Sequence, residues 1–542
     1  MSDQVPWPGP PREPGPWGGG PPVAPTGNTA LPPLPGPGGV VHGTAGSNPW
    51  AAPSVPPPPP PKPPPSLSPF PGLNPQVPLV DRAPRWIVAL SVLVVLALVA
   101  GTGYVLLRGG RQYPDSWDPR VEPIARWVAR ERQLDFEHPV EVRFLSPEEY
   151  TKASTGGDVE LSDEEQQQMD DALAQMRALG LIEGKVDLNE AQKTLSDSGS
   201  LAYYDPDTEK VYVRGSKLTP GLRVTLAHEL THVLQDQHFD LQRVRSDDDG
   251  EGTVLRALAE GDATRIEDVY RDEVLTAAER KEYEKASQEE SDAATEKLDA
   301  EVPPILTAFF ASPYIFGPEL ITFLDQRDGS RSIDEALQDP PTEEVLWDPR
   351  LYGTSAAEPA DVEVSAPRGA EEIDSGGFGQ TAWYLLLASR IDPKAALTAT
   401  DGLGGDAYVV YREDGKVCVR ADASGDTPGD VEELDNALQL WVAQGPEKAA
   451  SVVTEGDEVV FRSCDPGEDA KDLGEVSLDV LGLPVGRTQI YNSVIKQGGR
   501  SDQATCYADG IVDAFTFEQF SGSFPGTPEG RRMLEDARDA CF

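Results

Sequence analysis

The sequence predicts an α+β fold for the larger, C-terminal part of this 542-residue chain. Two observations predict it. Stretches that alternate polar and apolar residues, as strands do, are interspersed with longer stretches in which apolar residues recur at helical spacing. Strand-like stretches near residue 205 form a pair joined by turn-forming residues, which indicates a hairpin. A low-complexity tail and one long apolar segment precede this part, so the chain divides into regions of different character.

The N-terminal tail, residues 1–80, holds 28 of the 52 prolines and many glycines. A segment of this composition buries too little apolar surface to fold, so we predict a disordered cytoplasmic tail that is partly polyproline II. It contains P-x-x-P sequences, which SH3-like domains bind. A partner of that kind is one interpretation, and a simple flexible tail is the other.

Residues 86–107 are nearly all apolar and carry no charge. As a helix they would measure about 33 Å, enough to cross the hydrocarbon core of a bilayer. The segment begins too far from the N-terminus for a cleaved signal peptide. We therefore predict a transmembrane helix that anchors the chain in the cell membrane by a single pass. Arginines flank the segment on both sides, so charge alone does not orient it.

Residues 118–355 contain the elements of the first predicted domain. Residues 121–133 favour a helix, and residues 139–144 alternate like a strand. The hairpin follows, with strands at 201–204 and 211–213. Thr219 and Pro220 then have the residue types that begin a helix, a capping hydroxyl and a proline at the first helical position.

Residues 228–232 on this helix spell H-E-x-x-H. Histidines four residues apart lie about 40° apart around a helix axis, so the imidazoles of His228 and His232 can bind one metal ion. Glu229 would lie beside that ion, where it can take a proton from a water molecule. The motif predicts a zinc-dependent peptidase with Zn²⁺ as cofactor and Glu229 as catalytic base. A chance match on an ordinary amphipathic helix is the alternative.

A catalytic zinc site has three protein ligands, and two residues compete for the third place. Glu260 lies on a predicted helix at 252–270 among small and apolar residues, where a metal would compensate a buried carboxylate. The alternative is that Glu260 faces solvent. His238 follows the motif at a spacing that another class of zinc peptidases uses, but Gln235 replaces the glycine that the turn requires there. We expect Glu260 as the third ligand, with His238 as the alternative ligand.

Two further residues follow Glu260 on the same predicted helix. Asp262 and Thr264 are candidates for a hydrogen bond to a ligating histidine, and the sequence does not choose between them. Residues 370–480 are predicted as a C-terminal α/β extension, in which helices and strands alternate. Residues 481–542 are predicted as a cysteine-containing helical segment.

The four cysteines all lie in these last two regions. An even number on one side of the apolar segment indicates two disulfides in an oxidising compartment. This places the N-terminus in the cytoplasm and the C-terminal domain outside the membrane. Of three possible connectivities we favour Cys418–Cys464, between neighbouring strands, and Cys506–Cys541, which would hold the C-terminal segment. The spacings lack the C-x-x-C pairs of a four-cysteine zinc site.

After residue 111 the chain has 40 basic and 89 acidic residues, a net charge of −49. Such a surface repels nucleic acids and other polyanions, so we expect no nucleic-acid partner. It suits high solubility, loose cation binding or a preference for basic peptides. The expected partners are a peptide or protein substrate and the membrane.

Several strings resemble a group of poorly characterised bacterial metallopeptidase-like proteins, over roughly residues 120–465. They are residues 227–241, Glu260-Gly-Asp-Ala263, Pro313-Tyr314, residues 340–344 and residues 404–411, and the first is the most specific. The resemblance implies a zincin-like fold of gluzincin type, with two histidines from one helix and a glutamate from a later helix. In that group the glutamate of the Glu-Gly-Asp-Ala string is taken as the third ligand, which agrees with Glu260.

The sequence thus predicts a membrane-anchored extracytoplasmic zinc metallopeptidase that hydrolyses peptide bonds with a zinc-activated water. Tyr314 and His238 are candidates for stabilising the oxyanion. The alternative is a non-catalytic, membrane-anchored binding or scaffold protein with a zincin-like domain. Glu229 favours the enzyme, because a purely structural zinc site has no need of that residue.

Overall fold

The computed structural model describes residues 113–157, 161–197, 201–245, 251–354, 359–522 and 524–542. The predicted tail and the predicted membrane segment at 86–107 lie outside these residues. The described chain is 60% helix and 13% strand, and its strands form two separate sheets. Because both element types contribute and neither sheet alternates regularly with helices, the predicted α+β class is confirmed.

The first sheet has three strands in the order β1-β3-β2. Strand β3 pairs in parallel with β1 and antiparallel with β2, which lies at the sheet edge. The predicted hairpin of β2 and β3 is therefore confirmed. The elements of this region are α1 (Glu122–Arg132), β1 (Glu141–Leu145), α2 (Pro147–Ser154), α3 (Asp163–Ala178), α4 (Leu188–Asp197), β2 (Ala202–Asp205) and β3 (Lys210–Arg214).

A run of helices follows the hairpin. The first begins where the sequence predicts it: the side chain of Thr219 accepts a hydrogen bond from the N–H of Leu222 at 3.1 Å, and Pro220 takes the first helical position. The helices are α5 (Pro220–Phe239), α6 (Glu251–Val274), α7 (Ala277–Glu301), α8 (Pro304–Asp328), α9 (Ser330–Gln338) and α10 (Glu344–Trp347).

Helix α8 is the one described helix that is long and apolar enough to cross a membrane. Its most apolar window is 72% buried inside the protein, and Leu320, Ile321 and Leu324 are fully covered there. The core therefore accounts for its apolar character. It is distinct from the predicted anchor at 86–107, and the described chain gives no support for a membrane location or its orientation.

The second sheet contains five strands in the order β4-β5-β6-β8-β7, and every pair is antiparallel. The α/β extension expected here is therefore wrong: the arrangement is α+β. Strands β5 and β6 are joined by Asp414 and Gly415, both with positive φ, and so short a connection permits only antiparallel pairing. The elements are β4 (Glu371–Gly376), α11 (Gly379–Ala388), α12 (Pro393–Thr400), β5 (Leu403–Glu413), β6 (Lys416–Gly425), α13 (Pro428–Gln444), β7 (Ala450–Glu455) and β8 (Glu458–Cys464).

Both predicted disulfides are confirmed. Cys418 and Cys464 lie directly opposite each other on β6 and β8. Cys506 and Cys541 join two of the helices that end the chain, so the C-terminal segment is helical as predicted. These helices are α14 (Gly482–Lys496), α15 (Ser501–Ala514), α16 (Phe517–Ser521) and α17 (Pro528–Cys541).

Helix α6 crosses between two hydrophobic cores. Its first half, with Val254 and Leu258, packs into the largest core, which also contains α8 and the inner face of the second sheet. Its second half, with Ile266 and Tyr270, packs into the core of the first sheet and α5. The middle of α6 therefore lies at the junction of the two cores. The predicted domain boundaries at 118–355, 370–480 and 481–542 stay predictions, and the largest core draws residues from all three regions.

Candidate metal centre

Three predicted ligands meet at this junction. His228 and His232 project from α5, and Glu260 projects from the middle of α6. The Nε2 atoms of both histidines lie 3.3 Å from Oε2 of Glu260, and the three ligand atoms lie within 4.8 Å of one another. All three side chains are buried. Two imidazoles and a carboxylate at this separation can hold a metal ion.

Two buried atoms at the centre test whether a metal fits. Nε2 of His232 and Oε1 of Glu229 have no hydrogen-bond partner among the described residues. A buried polar atom without a partner costs about 1–3 kcal/mol. A metal ion would bind Nε2 of His232, and a water molecule beside the ion would donate a hydrogen bond to Oε1 of Glu229. The two unpartnered atoms therefore fit a metal with an open coordination position.

The carboxylates around the centre favour a positive charge between them. Burial alone would lower the pKa of His228, but its hydrogen bonds to the carboxylates of Glu260 and Glu267 outweigh burial and raise that pKa to about 10. Burial would raise the pKa of Glu260, but the charge of His232 and the hydrogen bond from His228 hold it below its usual range. A proton on His228 therefore occupies the role that a metal cation would fill.

The second nitrogen of His228 contacts a carboxylate. Its Nδ1 lies 3.0 Å from Oε2 of Glu267, and Oε1 of Glu267 accepts a hydrogen bond from the hydroxyl of Tyr283 at 3.3 Å. An imidazole whose Nδ1 donates to a carboxylate presents Nε2 to a metal in a fixed orientation. Glu267 follows Glu260 by two helical turns, so both carboxylates lie on the same face of α6.

The second nitrogen of His232 contacts Gln235. Nε2 of Gln235 donates to the carbonyl of Ala259 at 3.0 Å and to Oδ2 of Asp262 at 3.1 Å, and both of these atoms can only accept. Oε1 of Gln235 therefore faces Nδ1 of His232, at 2.8 Å. Because that oxygen cannot donate, His232 carries its proton on Nδ1 and leaves the Nε2 lone pair available for a metal.

Asp262 is linked to the ligating His232 only indirectly, through the amide of Gln235. Its Oδ2 accepts from Nε of Arg132 at 2.7 Å, and its Oδ1 lies 2.9 Å from Nη2 of Arg265. Arg132 also pairs with Asp334. Of the two predicted partners of a ligating histidine, neither Asp262 nor Thr264 makes that contact. Asp262 instead holds the amide of Gln235, which contacts His232.

His238 lies outside the ligand group. Helix α5 continues through Phe239 without a break at Gln235, so His238 points to a different side of the helix than His232. Its Nε2 lies 2.8 Å from the carbonyl oxygen of Asp135 and therefore donates to it. The structure thus places the alternative third ligand in a contact between α5 and the segment after α1.

Tyr314 on α8 reaches the third ligand. Its hydroxyl donates to Oε1 of Glu260 at 2.7 Å, which leaves Oε2 to face the histidines. The close approach of α6 and α8 makes this possible, because a Cβ on Gly317 would lie 2.1 Å from the carbonyl of Ala257, and a Cβ on Gly261 2.4 Å from Gly317. The glycines that follow Glu260 and Tyr314 therefore allow the two helices to touch.

Glu229 faces the edge strand of the first sheet. Its Oε2 accepts a hydrogen bond from the N–H of Tyr204 in β2 at 2.7 Å, and its Oε1 is the unpartnered atom described above. Burial, and then the charge of Glu260, raise the pKa of this carboxyl well above its usual range. A carboxyl with one oxygen fixed and one free, and with a raised pKa, is suited to take and return a proton.

Comparisons with known proteins leave the site to be interpreted from this geometry. No family model, no curated protein and no solved structure matches the chain. The resemblance to bacterial metallopeptidase-like proteins therefore stays a prediction. The structure itself establishes that His228, His232 and Glu260 form a buried group that can hold a metal ion.

Proposed function

We propose that this chain is a zinc-dependent metallopeptidase with a zincin-like fold of gluzincin type. His228, His232 and Glu260 hold Zn²⁺, and Glu229 is the general base. One observation carries the proposal: three ligand atoms lie within 4.8 Å of one another, and Oε1 of Glu229, the residue that follows His228, is buried and unpartnered in the described chain. A purely structural site would have no use for that fourth side chain.

Each side chain has a separate part in the proposed reaction. Zinc, when bound, supplies the Lewis acidity that makes a water molecule more acidic and a peptide carbonyl more electrophilic. Oε1 of Glu229 takes the proton of that water and passes it to the leaving amine. The N–H of Tyr204 holds the other oxygen of Glu229 in place. Glu267 and Gln235 orient the two imidazoles, and Tyr314 fixes which oxygen of Glu260 faces them.

The location belongs to the same proposal. Residues 86–107 anchor the chain in the membrane by one pass, with the N-terminus in the cytoplasm. Two disulfides in the described chain support an oxidising compartment for the C-terminal part. The substrate is a peptide or protein on the outer side of the membrane.

A second candidate is a non-catalytic binding protein that keeps the metal group. The burial of the centre favours it: His232, the most exposed of the four side chains, has 7% of its surface accessible, whereas a peptide must reach the metal to be cleaved. The two functions differ in the expected effect of replacing Glu229: a peptidase would lose cleavage, whereas a binding protein has no cleavage to lose.

The test is the Glu229→Gln variant of the full-length chain, compared with the wild type for bound zinc and for cleavage of a broad peptide library. The amide keeps the shape and the hydrogen bond to Tyr204 can be retained, but it cannot take a proton. We expect equal zinc content and loss of cleavage by about 10²–10⁴-fold. Wild-type and variant chains that bind zinc and are equally inactive would support the binding protein instead.

A further inference from the structure

Arg256 is a buried arginine beside the metal centre. It lies on α6, one helical turn before Glu260, and 3% of its surface is accessible. Its guanidinium carbon lies 5.8 Å from the ring centre of Tyr314 and 5.9 Å from that of Phe310. Since the Tyr314 hydroxyl holds Glu260, the guanidinium and the third ligand contact the same tyrosine.

Arg256 differs from the other buried arginines that the structure describes. Each of the others has a carboxylate partner: Arg132 with Asp262, Arg177 with Asp465, Arg271 with Asp268 and Arg487 with Asp401. No described carboxylate lies within ion-pair distance of Arg256, and its Nε has no hydrogen-bond partner among the described residues. A buried guanidinium costs free energy unless an anion compensates it.

The neighbours of Arg256 show where the missing acceptor would lie. The rings of Phe310 and Tyr314 on α8 lie beside the guanidinium. Tyr314 is the neighbour that Arg256 shares with the metal centre, because the Tyr314 hydroxyl also contacts Glu260. The unpartnered Nε of Arg256 therefore belongs to a guanidinium that shares a neighbour with Glu260 and lies one helical turn before it on α6.

A carboxylate is the group that satisfies these donors best. It matches the planar guanidinium with two parallel hydrogen bonds and neutralises its charge. A neutral carbonyl oxygen would fill one donor and leave the charge uncompensated. The centre is closely covered, since His228 and Glu229 have no accessible surface, and such a site suits a short ligand better than a long extended chain.

We propose that Arg256 binds a carboxylate group of the ligand at the metal centre, so that the substrates are short peptides with a carboxylate beside the scissile bond. This inference rests on the proposed peptidase function. The carboxylate belongs either to the C-terminus of the peptide or to an acidic side chain. The chain as a whole is strongly acidic, with a net charge of −46, so a buried arginine without a carboxylate partner is an exception that favours an anion.

The experiment measures dissociation constants on the full-length, zinc-loaded chain with Glu229→Gln, which binds without turnover. Three versions of one short peptide are compared: a free C-terminus with neutral side chains, an amidated C-terminus, and an amidated C-terminus with one glutamate. Arg256→Met removes the charge at similar length, and Arg256→Lys keeps the charge without the planar fork. Arg327→Met is the matched control, because Arg327 lies over the Tyr352 ring far along the chain.

We expect one of the two carboxylate peptides to bind about tenfold or more tightly than the neutral amide. Arg256→Met removes that preference, Arg256→Lys reduces it, and Arg327→Met leaves it unchanged. Whichever carboxylate peptide shows the preference identifies the source of the group. Equal affinities for all three peptides, or a preference that survives both Arg256 substitutions, would overturn the inference.

The two proposals fail in distinguishable ways. Metal analysis of the same samples shows whether zinc is bound, independently of the peptides. A zinc-loaded chain that binds the peptides without a carboxylate preference leaves the peptidase proposal standing and overturns the role of Arg256. A folded chain without zinc overturns the peptidase proposal and, with it, the substrate class.

Discussion

A buried glutamate and a half-buried glutamate of this protein have pKa values that are shifted in opposite directions. Glu260 at the metal centre has its pKa held below the usual range by two imidazoles, despite burial. Glu344 lines a cavity of 290 Å³ near the C-terminal helices, where burial and then the charge of Asp426 raise its pKa to about 8. At neutral pH these shifts favour a charged Glu260 and a protonated Glu344.

The surrounding residues explain this difference. Several acidic side chains also line the cavity, but its two arginines are already paired with carboxylates. Arg350 pairs with Asp348 and Asp509, and Arg487 pairs with Asp401. At the metal centre, Nε2 of His232 faces the Glu260 carboxylate and has no hydrogen-bond partner among the described residues. The comparison indicates that a metal centre is recognised by ligand atoms that lack a hydrogen-bond partner beside a charged carboxylate. The number of carboxylates alone does not identify it.

The largest expected effect separates the two glutamates directly. Glu260→Gln removes a charged ligand and should lower the affinity for zinc by about a hundredfold or more, because an amide oxygen binds zinc weakly. Glu344→Gln replaces a carboxyl that is already mostly neutral, so zinc affinity should not change. Competition with a chelator of known affinity measures both. An equal loss in the two variants would end the distinction between the regions.

Glu267 tests whether the orientation of an imidazole matters at the centre. Glu267→Gln weakens the contact to Nδ1 of His228 and should lower zinc affinity by about 10–100-fold. Tyr283→Phe is the control, since it removes the neighbouring hydroxyl and keeps the carboxylate on His228. Affinities that fall to the same extent in both variants would point to a packing effect.

A change in pH should act on the two regions in opposite directions. The raised pKa of His228, about 10, means that zinc must displace a proton at neutral pH, so zinc affinity should rise about tenfold per pH unit between pH 6 and 9. Titration of zinc at several pH values checks this. A flat profile would show that His228 is neutral without the metal.

The titration of Glu344 should make the free energy of unfolding fall as the pH rises, whereas the zinc affinity should rise. Its folded pKa, about 8, lies above the ordinary value of 4.5, so the folded chain binds the proton more tightly than the unfolded chain. Its contribution to stability is complete below about pH 4.5 and is lost as the pH rises through about 8. Urea unfolding from pH 5 to 9 should show this fall in the wild type and a smaller fall in Glu344→Gln. Identical profiles would contradict the assignment.

The smallest effect is expected at His238, which lies outside both regions. His238→Ala removes one hydrogen bond to the carbonyl of Asp135 and should lower the free energy of unfolding by about 1 kcal/mol or less. Zinc affinity should equal that of the wild type. Loss of the metal in this variant, with Glu260→Ala still binding it, would make His238 the third ligand.

The sequence predicts much of the α5–α6 centre because its signals are local. Helical spacing places His228 and His232 on one side of α5, and Thr219 and Pro220 determine where that helix begins. Glu260 is recognisable from the small residues around it. Gln235 and Glu267 could have been found by the same helical spacing, because Gln235 follows His232 by one turn and Glu267 follows Glu260 by two.

Other features depend on contacts between residues that are far apart in the sequence. The hydrogen bond of Tyr204 to Glu229 requires the edge strand to lie beside α5, and the contact of Tyr314 with Glu260 requires two glycines to meet across helices. The second sheet was predicted as α/β because its helices and strands alternate. Its short Asp414–Gly415 turn was the local signal for antiparallel pairing.

The most direct test of the central claim is the zinc content of the purified full-length chain and of a His228→Ala/His232→Ala variant, with folding of both verified by circular dichroism. The account predicts about one zinc per wild-type chain and none above background in the variant. A folded wild-type chain that contains no metal and binds no added zinc, or a variant that binds it equally well, would contradict the account.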